Sequence, residues 1–264
     1  MTRGIYQPGQ DGWEDSDALP LGVAPSFLAP ALNQRATNDS MEAIRKKDGL
    51  RDPLEQLTRR IGSMPTSMVS MVSLAVELFT LSEGLHFPAQ SIQKIWAHSL
   101  RTGYLAALIT EAHDAQNHVI WRSFAGGLLH DIGLLILLSQ ASQQFFRVVE
   151  LASIRGATLQ TMEQEIYGTT HAELGAALLS RWGGDDELVS TVMFHDDPFR
   201  NAEIHFCSAS AVFLANILDG GGIAQDCDGV LSSEGEAYLL RLGLLEHVPY
   251  WHERMQDIQK VFVG

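Results

Sequence analysis

Apolar residues recur at spacings of three and four through most of the chain from Leu19 onward. This period places apolar side chains on one face of an α-helix, whereas a half-buried strand needs strict alternation. No convincing alternating run occurs, and no Asn-Gly or Asp-Gly pair joins two strand-like runs. We therefore predict an all-α fold. The predicted helices cover roughly residues 22–38, 53–62, 64–84, 89–116, 120–140, 142–155, 158–167, 170–183, 185–195, 203–219, 234–243 and 245–262.

The composition fits one large globular domain preceded by a short flexible segment. The chain has 264 residues, of which 45% are hydrophobic and 19% charged, and this is enough for a packed core. Residues 1–18 are polar, acidic and rich in Gly and Pro, so we predict a flexible acidic tail there. The remaining residues, 19–264, are predicted to form a single domain.

Charge and hydropathy argue against two classes of partner. The formal net charge of −14 disfavours a nucleic-acid-binding surface. The basic segment 45–60 is interpreted as a solvated helix and loop, with a phosphate- or partner-binding patch as the alternative. No apolar run reaches the roughly 18 residues that span a bilayer, and the first twenty residues show no signal-peptide core. We expect a cytoplasmic protein with no membrane partner.

One apolar run contains an unexpected charge. The stretch "GLLHDIGLLILL", residues 127–138, places His130 and Asp131 among aliphatic side chains. Burying a carboxylate without a partner is costly, so hydrogen bonds, a paired charge or a metal ion must compensate. Gly126, Gly127 and Gly133 flank the pair, and glycine weakens helices. These glycines predict close backbone packing or a bend beside His130.

Further histidines follow in order through the helical part of the chain. Imidazole and carboxylate ligands suit iron, manganese, zinc or nickel, and carboxylate-rich sites also suit magnesium. Helical bundles build such sites from side chains on several helices, although a lone buried histidine is more often a hydrogen-bonded core residue. The candidate ligands are His98, His130, Asp131, His171 and His195, with Asp196 and Asn216 as weaker members.

The order of these motifs resembles the HDOD domain, the HD-related output domain of bacterial signalling proteins and a branch of the HD/PDEase superfamily. The resemblance rests on four segments: "IWAHS" (95–99), "FAGGLLHDIGLLIL" (124–137), "EQEIYGTTHAELGAALLSRWG" (163–183) and "VMFHDDP" (192–198). The helix "RRIGSMPTSMVSMVSLAVELF" (59–79) adds to it. The resemblance implies an N-terminal helical subdomain over about 19–85, followed by an HD-like helical bundle over about 86–264.

The resemblance also implies roles for individual residues. His98 falls where the first metal-binding histidine of the superfamily lies, and His130 with Asp131 falls on the HD pair that names it. His171 and His195 fall where HD-GYP phosphohydrolases place further histidine ligands. Asp131 is therefore the candidate catalytic residue if the protein is an enzyme.

Three positions depart from the catalytic pattern. Leu134 stands where HD-GYP enzymes have a lysine that helps to neutralise phosphate. Asp196 stands where those enzymes have a second histidine. Asn216, or a near neighbour on its helix, falls where the last metal-binding aspartate would be, and the "GYP" element is absent.

Three hypotheses follow. The first is a regulatory signalling module without phosphodiesterase activity, which binds another signalling protein or a small ligand and can form a homo-oligomer. The second is a metal-dependent phosphohydrolase of nucleotides or cyclic dinucleotides, in which Arg101 helps to neutralise phosphate. The third is a structural cluster in which the histidines are satisfied by hydrogen bonds alone.

Overall fold

The computed structural model describes residues 65–83, 89–113, 115–200, 205–220 and 232–262. These ranges contain α-helices and two short 3-10 turns but no strand, so the all-α prediction is confirmed for them. The predicted tail, the N-terminal helices before residue 65 and the basic segment 45–60 lie outside them. The helices are α1 (Thr66–Glu83), α2 (Ala89–Ala112), α3 (Asn117–Leu129), α4 (Ile132–Arg155), α5 (Leu159–Tyr167), α6 (His171–Arg181), α7 (Asp186–Met193), α8 (Ser208–Asp219), α9 (Ser233–Arg241) and α10 (Val248–Phe262).

Two hydrophobic cores meet along α2. The larger core collects buried side chains from α1 to α7. The smaller core joins the second half of α2 to α8, α9 and α10, and Trp251, Met255 and Ile258 are its buried members on α10. Because α2 contributes to both cores, residues near its middle lie between them.

Local caps fix where the helices begin. Thr170 caps α6 in a capping box: its hydroxyl accepts from the backbone of Glu173, and the Glu173 carboxylate accepts from the Thr170 backbone. Such a box satisfies two backbone donors that the helix itself leaves unpaired. The side chain of Asp185 caps α7 by accepting from the backbone of Leu188. These caps set the starting points of the helices that carry or precede His171 and His195.

The helix is interrupted at His130 and Asp131, the two polar residues within the apolar run. We predicted one helix over 120–140, but α3 ends at Leu129 and α4 begins at Ile132. Asp131 has φ −94° and ψ 11°, outside the helical region. The predicted boundary near residue 141 corresponds to a kink within α4, where Ala141 has φ −148°. His130 and Asp131 therefore lie at a helix junction, where their side chains can leave the apolar face.

The flanking glycines allow the close packing that the sequence predicts. A Cβ atom on Gly127 would lie 2.5 Å from the Cα atom of Gly103 on α2. A Cβ atom on Gly133 would lie 1.9 Å from the carbonyl oxygen of His171. Both glycines therefore bring the His130–Asp131 junction against neighbouring backbone, α2 on one side and the start of α6 on the other.

The stretch Asn117–Arg155 is long and apolar enough by composition to cross a membrane. Its most apolar window, however, is 78% buried inside the bundle. Burial of this extent is what the core helices of a soluble protein show.

Candidate metal centre

The predicted ligands converge in one buried cluster. His98 comes from α2, His130 and Asp131 from the α3–α4 junction, His171 from the first residue of α6, and His195 from the turn after α7. All five are buried. The two weaker predicted members join them: Asp196 follows His195 and has a side chain 27% exposed, and Asn216 lies on α8.

The first half-site consists of His98, His130, Asp131 and Asn216. The Nε2 atom of His98 lies 3.1 Å from Nε2 of His130 and 3.0 Å from Oδ1 of Asn216. Oδ2 of Asp131 lies 3.3 Å from Nε2 of His130 and 3.8 Å from Nε2 of His98.

The second half-site consists of His171, His195, Asp196 and the other oxygen of Asp131. The Nε2 atoms of His171 and His195 are 3.3 Å apart. Oδ1 of Asp131 lies 3.6 Å from His171 and 3.9 Å from His195. The Asp196 carboxylate lies within 3.4 Å of both imidazoles. Asp131 thus presents one oxygen to each half-site.

Two of the histidines are held by backbone carbonyl groups. Nδ1 of His130 donates to the carbonyl of Gly127, and Nδ1 of His195 donates to the carbonyl of Val192, each at 2.7 Å. A carbonyl oxygen only accepts, so both Nδ1 atoms carry hydrogen. In the neutral imidazole, Nε2 then offers its lone pair to the cluster.

The other two histidines are held by buried carboxylates that the sequence analysis missed. Nδ1 of His98 lies 2.6 Å from Asp219, and Nδ1 of His171 lies 2.7 Å from Glu163. Both carboxylate side chains are completely buried. A carboxylate behind the imidazole is a common way to orient a metal-binding histidine. Asp219 lies one helical turn beyond Asn216, and that spacing was the available signal.

Arg101 is paired on the far side of His98 from the cluster. Its Nε and Nη2 atoms donate to the two oxygens of Asp219 at 2.7 and 2.8 Å. Nε2 of Gln259 on α10 donates to the same carboxylate at 3.0 Å. The phosphate role expected for Arg101 stays a prediction, and this pairing argues against it because the guanidinium already serves a buried carboxylate.

The ionised carboxylates of the cluster favour the binding of a positive charge. Burial tends to raise the pKa of Asp131, but the neighbouring imidazoles hold it well below its usual range. The pKa of Asp196 is lowered to about 2 by His195 and His171 despite burial. Burial favours neutral imidazoles, yet nearby carboxylates raise the pKa of His130 and raise that of His171 well above 6.5. Desolvation and the neighbouring imidazoles lower the pKa of His195 to about 4.

The donor set fits divalent metal ions. Two triads, His98–His130–Asp131 and Asp131–His171–His195, bring their ligand atoms within 4.8 Å of one another. Neutral imidazoles oriented through Nδ1 would face each other with lone pairs at about 3 Å, and a cation between them removes that repulsion. Nitrogen and oxygen ligands of this kind suit iron, manganese, zinc and nickel.

Comparison with known proteins agrees with this architecture. The family model described as HDOD domain matches residues 53–198. An uncharacterized protein of Treponema pallidum is 29% identical over 132 residues, 48% of this chain and 26% of that protein. Ribonuclease Y of Pseudothermotoga lettingae is 26% identical over 214 residues, 80% of this chain and 34% of that protein. The chain thus spans about a quarter to a third of the length of these relatives.

A solved structure shares the fold. The crystal structure of an HDOD domain protein of unknown function from Geobacter sulfurreducens superposes with a TM-score of 0.54. It is 17% identical in sequence, and the match covers 92% of this chain and 95% of that one. At this identity the likeness shows the helical architecture.

Proposed function

The chain belongs to the HDOD domain family, and from this premise we propose that it is a regulatory module of bacterial signal transduction built around a divalent-metal centre. One observation carries the proposal: among the described residues the cluster offers donors for a divalent metal, but no lysine stands where phosphohydrolases of the HD-GYP type have one to contact their substrate. Leu134 occupies that position and is buried in the larger core. Arg101, the other expected cation, is paired with Asp219.

The residues that would hold the metal are those of the two half-sites. Asp131 would serve both, since each of its oxygens faces a different pair of histidines. Divalent metals of this kind activate water for attack on phosphorus and polarise phosphoryl oxygens. The chain's own residues orient the donors: two backbone carbonyls and two buried carboxylates fix all four imidazoles.

A regulatory role requires a surface through which a ligand or a partner protein can sense whether the centre holds metal. Within the cluster, Asp196 is the most exposed of the charged members. Nδ2 of Asn216 donates to Oδ1 of Asp196 at 3.1 Å, so this edge joins the two half-sites. We propose that a small ligand reaches the centre here, or that a signalling protein docks over it in the cytoplasm. Assembly into a homo-oligomer is a further way to transmit the signal.

The second candidate function is a metal-dependent phosphohydrolase. The shared Asp131 favours it, because a carboxylate between two metal positions is typical of two-metal phosphoesterases. The similarity to ribonuclease Y adds RNA to nucleotides and cyclic dinucleotides as a substrate class to test.

One experiment separates these functions. The full chain is purified without chelator, its metals are counted by elemental analysis, and turnover is assayed with Mn²⁺, Fe²⁺ or Mg²⁺ on a cyclic dinucleotide, bis-p-nitrophenyl phosphate and single-stranded RNA. We expect bound metal and no turnover above that of His130→Ala. The matched control is His118→Ala, which removes an exposed histidine from α3, the helix that ends just before His130.

Two results would overturn the proposal. Turnover of several per second that His130→Ala abolishes would establish the phosphohydrolase. A metal content below about 0.1 per chain in the wild type, unchanged by His130→Ala, would leave a hydrogen-bonded histidine cluster without metal.

A further inference from the structure

We propose that Asp219 positions His98 for metal binding and couples the first half-site to the docking of the C-terminal helix α10 through Gln259. The inference rests on the proposed metal centre and adds a regulatory connection to it. Asp219 is the last residue of α8, and its side chain is completely buried. It accepts from His98, from Arg101 and from Gln259, so three helices meet at one carboxylate.

Asp219 selects one of two tautomers of His98. When Nδ1 carries the hydrogen, it donates to Asp219 and Nε2 offers a lone pair to a metal. When Nε2 carries the hydrogen, it donates to Oδ1 of Asn216, which lies 3.0 Å away and is an acceptor. In the second arrangement Nε2 has no lone pair to offer, so His98 cannot act as a metal ligand in the first half-site. The strength of the contact between Asp219 and Nδ1 therefore decides how readily the first half-site binds metal.

Gln259 links the choice between the two tautomers of His98 to helix α10. The helix packs on α2 and α8, with Met255 and Ile258 buried in the smaller core. Gln259 adds a polar contact, because its Nε2 donates to Oδ1 of Asp219, the oxygen that also accepts from Nε of Arg101. Loss of that donor leaves a buried carboxylate with fewer partners and frees it to move away from His98.

The coupling is expected in one half-site only. In the second half-site, Glu163 holds His171 by accepting from both its Nδ1 and its backbone nitrogen. Glu163 lies on α5, which directly precedes α6 in the chain, and α10 takes no part in these contacts. A change at Gln259 should therefore leave the second half-site unaltered. Because coupling between sites is reciprocal, metal in the first half-site should in turn stabilise the docking of α10.

The test titrates the metal-free full-length chain with Zn²⁺ and Mn²⁺ by calorimetry. The matched pair is Gln259→Ala and Gln256→Ala, which removes an exposed glutamine from the same helix. We expect Gln259→Ala to weaken one of two binding events by roughly 3- to 10-fold, and Asp219→Asn to weaken the same event by roughly 10- to 100-fold. Gln256→Ala should match the wild type. Hydrogen exchange over residues 248–262 should slow on Zn²⁺ binding in the wild type but not in Gln259→Ala.

The outcomes separate this inference from the function on which it rests. A wild-type chain that binds no metal overturns both. Normal metal binding with unchanged affinities in Gln259→Ala overturns the inference and leaves the metal centre standing. Equal weakening of both events, together with a lower Tm of the metal-free variant, would show a general structural role and also overturn it. If Asp219→Asn does not fold, Gln259→Ala decides alone.

Discussion

His130 and His195 are held in the same way: each donates from Nδ1 to the backbone carbonyl three residues before it, at 2.7 Å. Each follows the last turn of a helix, where carbonyl groups lack intrahelical partners. Each is also followed directly by an aspartate of the cluster, Asp131 or Asp196. The centre is thus built from two similar halves, each completed by a histidine held by a buried carboxylate.

Asp131→Asn should remove metal from both halves of the centre. The change keeps the shape of the side chain but removes the negative charge that both half-sites share. We expect metal content to fall by at least about tenfold, measured by elemental analysis after equilibrium dialysis. Asp197→Asn is the matched control, because Asp197 lies two residues from His195 and pairs with the exposed Arg200. Equal losses in the two variants would contradict a bridging role for Asp131.

Asn216→Asp should strengthen the first half-site and destabilise the metal-free protein. A carboxylate there adds charge beside His98 but replaces the amide that donates to Asp196. We expect metal affinity at one binding event to rise by about tenfold, since ligand charge raises the affinity for divalent ions. The Tm of the metal-free chain should fall and should recover on adding Zn²⁺. The control Asn117→Asp, at the exposed start of α3, should change neither the metal affinity nor the Tm of the metal-free chain.

Gly133→Ala should disrupt both the packing and the centre. The new Cβ atom would lie 1.9 Å from the His171 carbonyl, a backbone atom that can move only with α6. We expect a loss of about 2 to 4 kcal/mol in the free energy of unfolding, from denaturant titration, with weaker metal binding. Gly126→Ala is the comparison: its Cβ meets the end of the Thr191 side chain, so a smaller loss is expected. If Gly133→Ala and Gly126→Ala lose the same free energy of unfolding, contact with the His171 backbone is not the cause of the destabilisation.

Leu134→Lys tests whether a lysine at the position where HD-GYP enzymes have one gives the protein phosphodiesterase activity. Leu134 is 2% exposed and belongs to the larger core, so an ammonium group there would be buried. We expect a loss of roughly 2 to 4 kcal/mol in the free energy of unfolding and no phosphodiesterase turnover. Leu134→Met conserves volume and should cost far less. A stable Leu134→Lys variant with new turnover would mean that position 134 can face the centre.

Metal affinity should increase with pH through the neutral range. Nearby carboxylates raise the pKa values of His130 and His171 despite burial, so in the metal-free protein these imidazoles keep their second proton to a higher pH than an ordinary histidine does. Metal must displace these protons, and the affinity gains roughly tenfold per pH unit for each proton displaced. Calorimetry between about pH 6 and pH 8, in buffers of different ionisation enthalpy, counts them. An affinity independent of pH would show that neither imidazole binds metal.

Local signals explain why most helices could be predicted. The predicted helix 158–167 corresponds to α5, Leu159–Tyr167, because its cap and its apolar period lie within a few residues. The break at His130 and Asp131 was missed because Leu129 and Ile132 continue the apolar pattern across it. Helix α10 begins at Val248 rather than near residue 245 because the chain first forms a 3-10 turn.

The ligands of the centre could be predicted from the sequence, whereas the groups that hold them left little signal there beyond the one-turn spacing of Asp219 from Asn216. The metal-binding pattern is carried by residue types that recur in a recognisable order. Asp219, by contrast, lies 121 residues from the histidine that it orients, and only the packing of α8 against α2 brings them together. Glu163 lies in a segment that supported the family resemblance, yet nothing in its spacing distinguishes it from an ordinary solvent-facing glutamate.

The position of the centre between distant parts of the chain has a consequence for unfolding. An ion shared by His98 and His130 would close a loop of 32 residues, and one that also engages Asn216 would close a loop of 118. Ties of this length restrict the unfolded chain in the way that a disulfide does. The bundle would then carry a removable cross-link, which a chelator opens and an added ion closes again without any change of covalent structure.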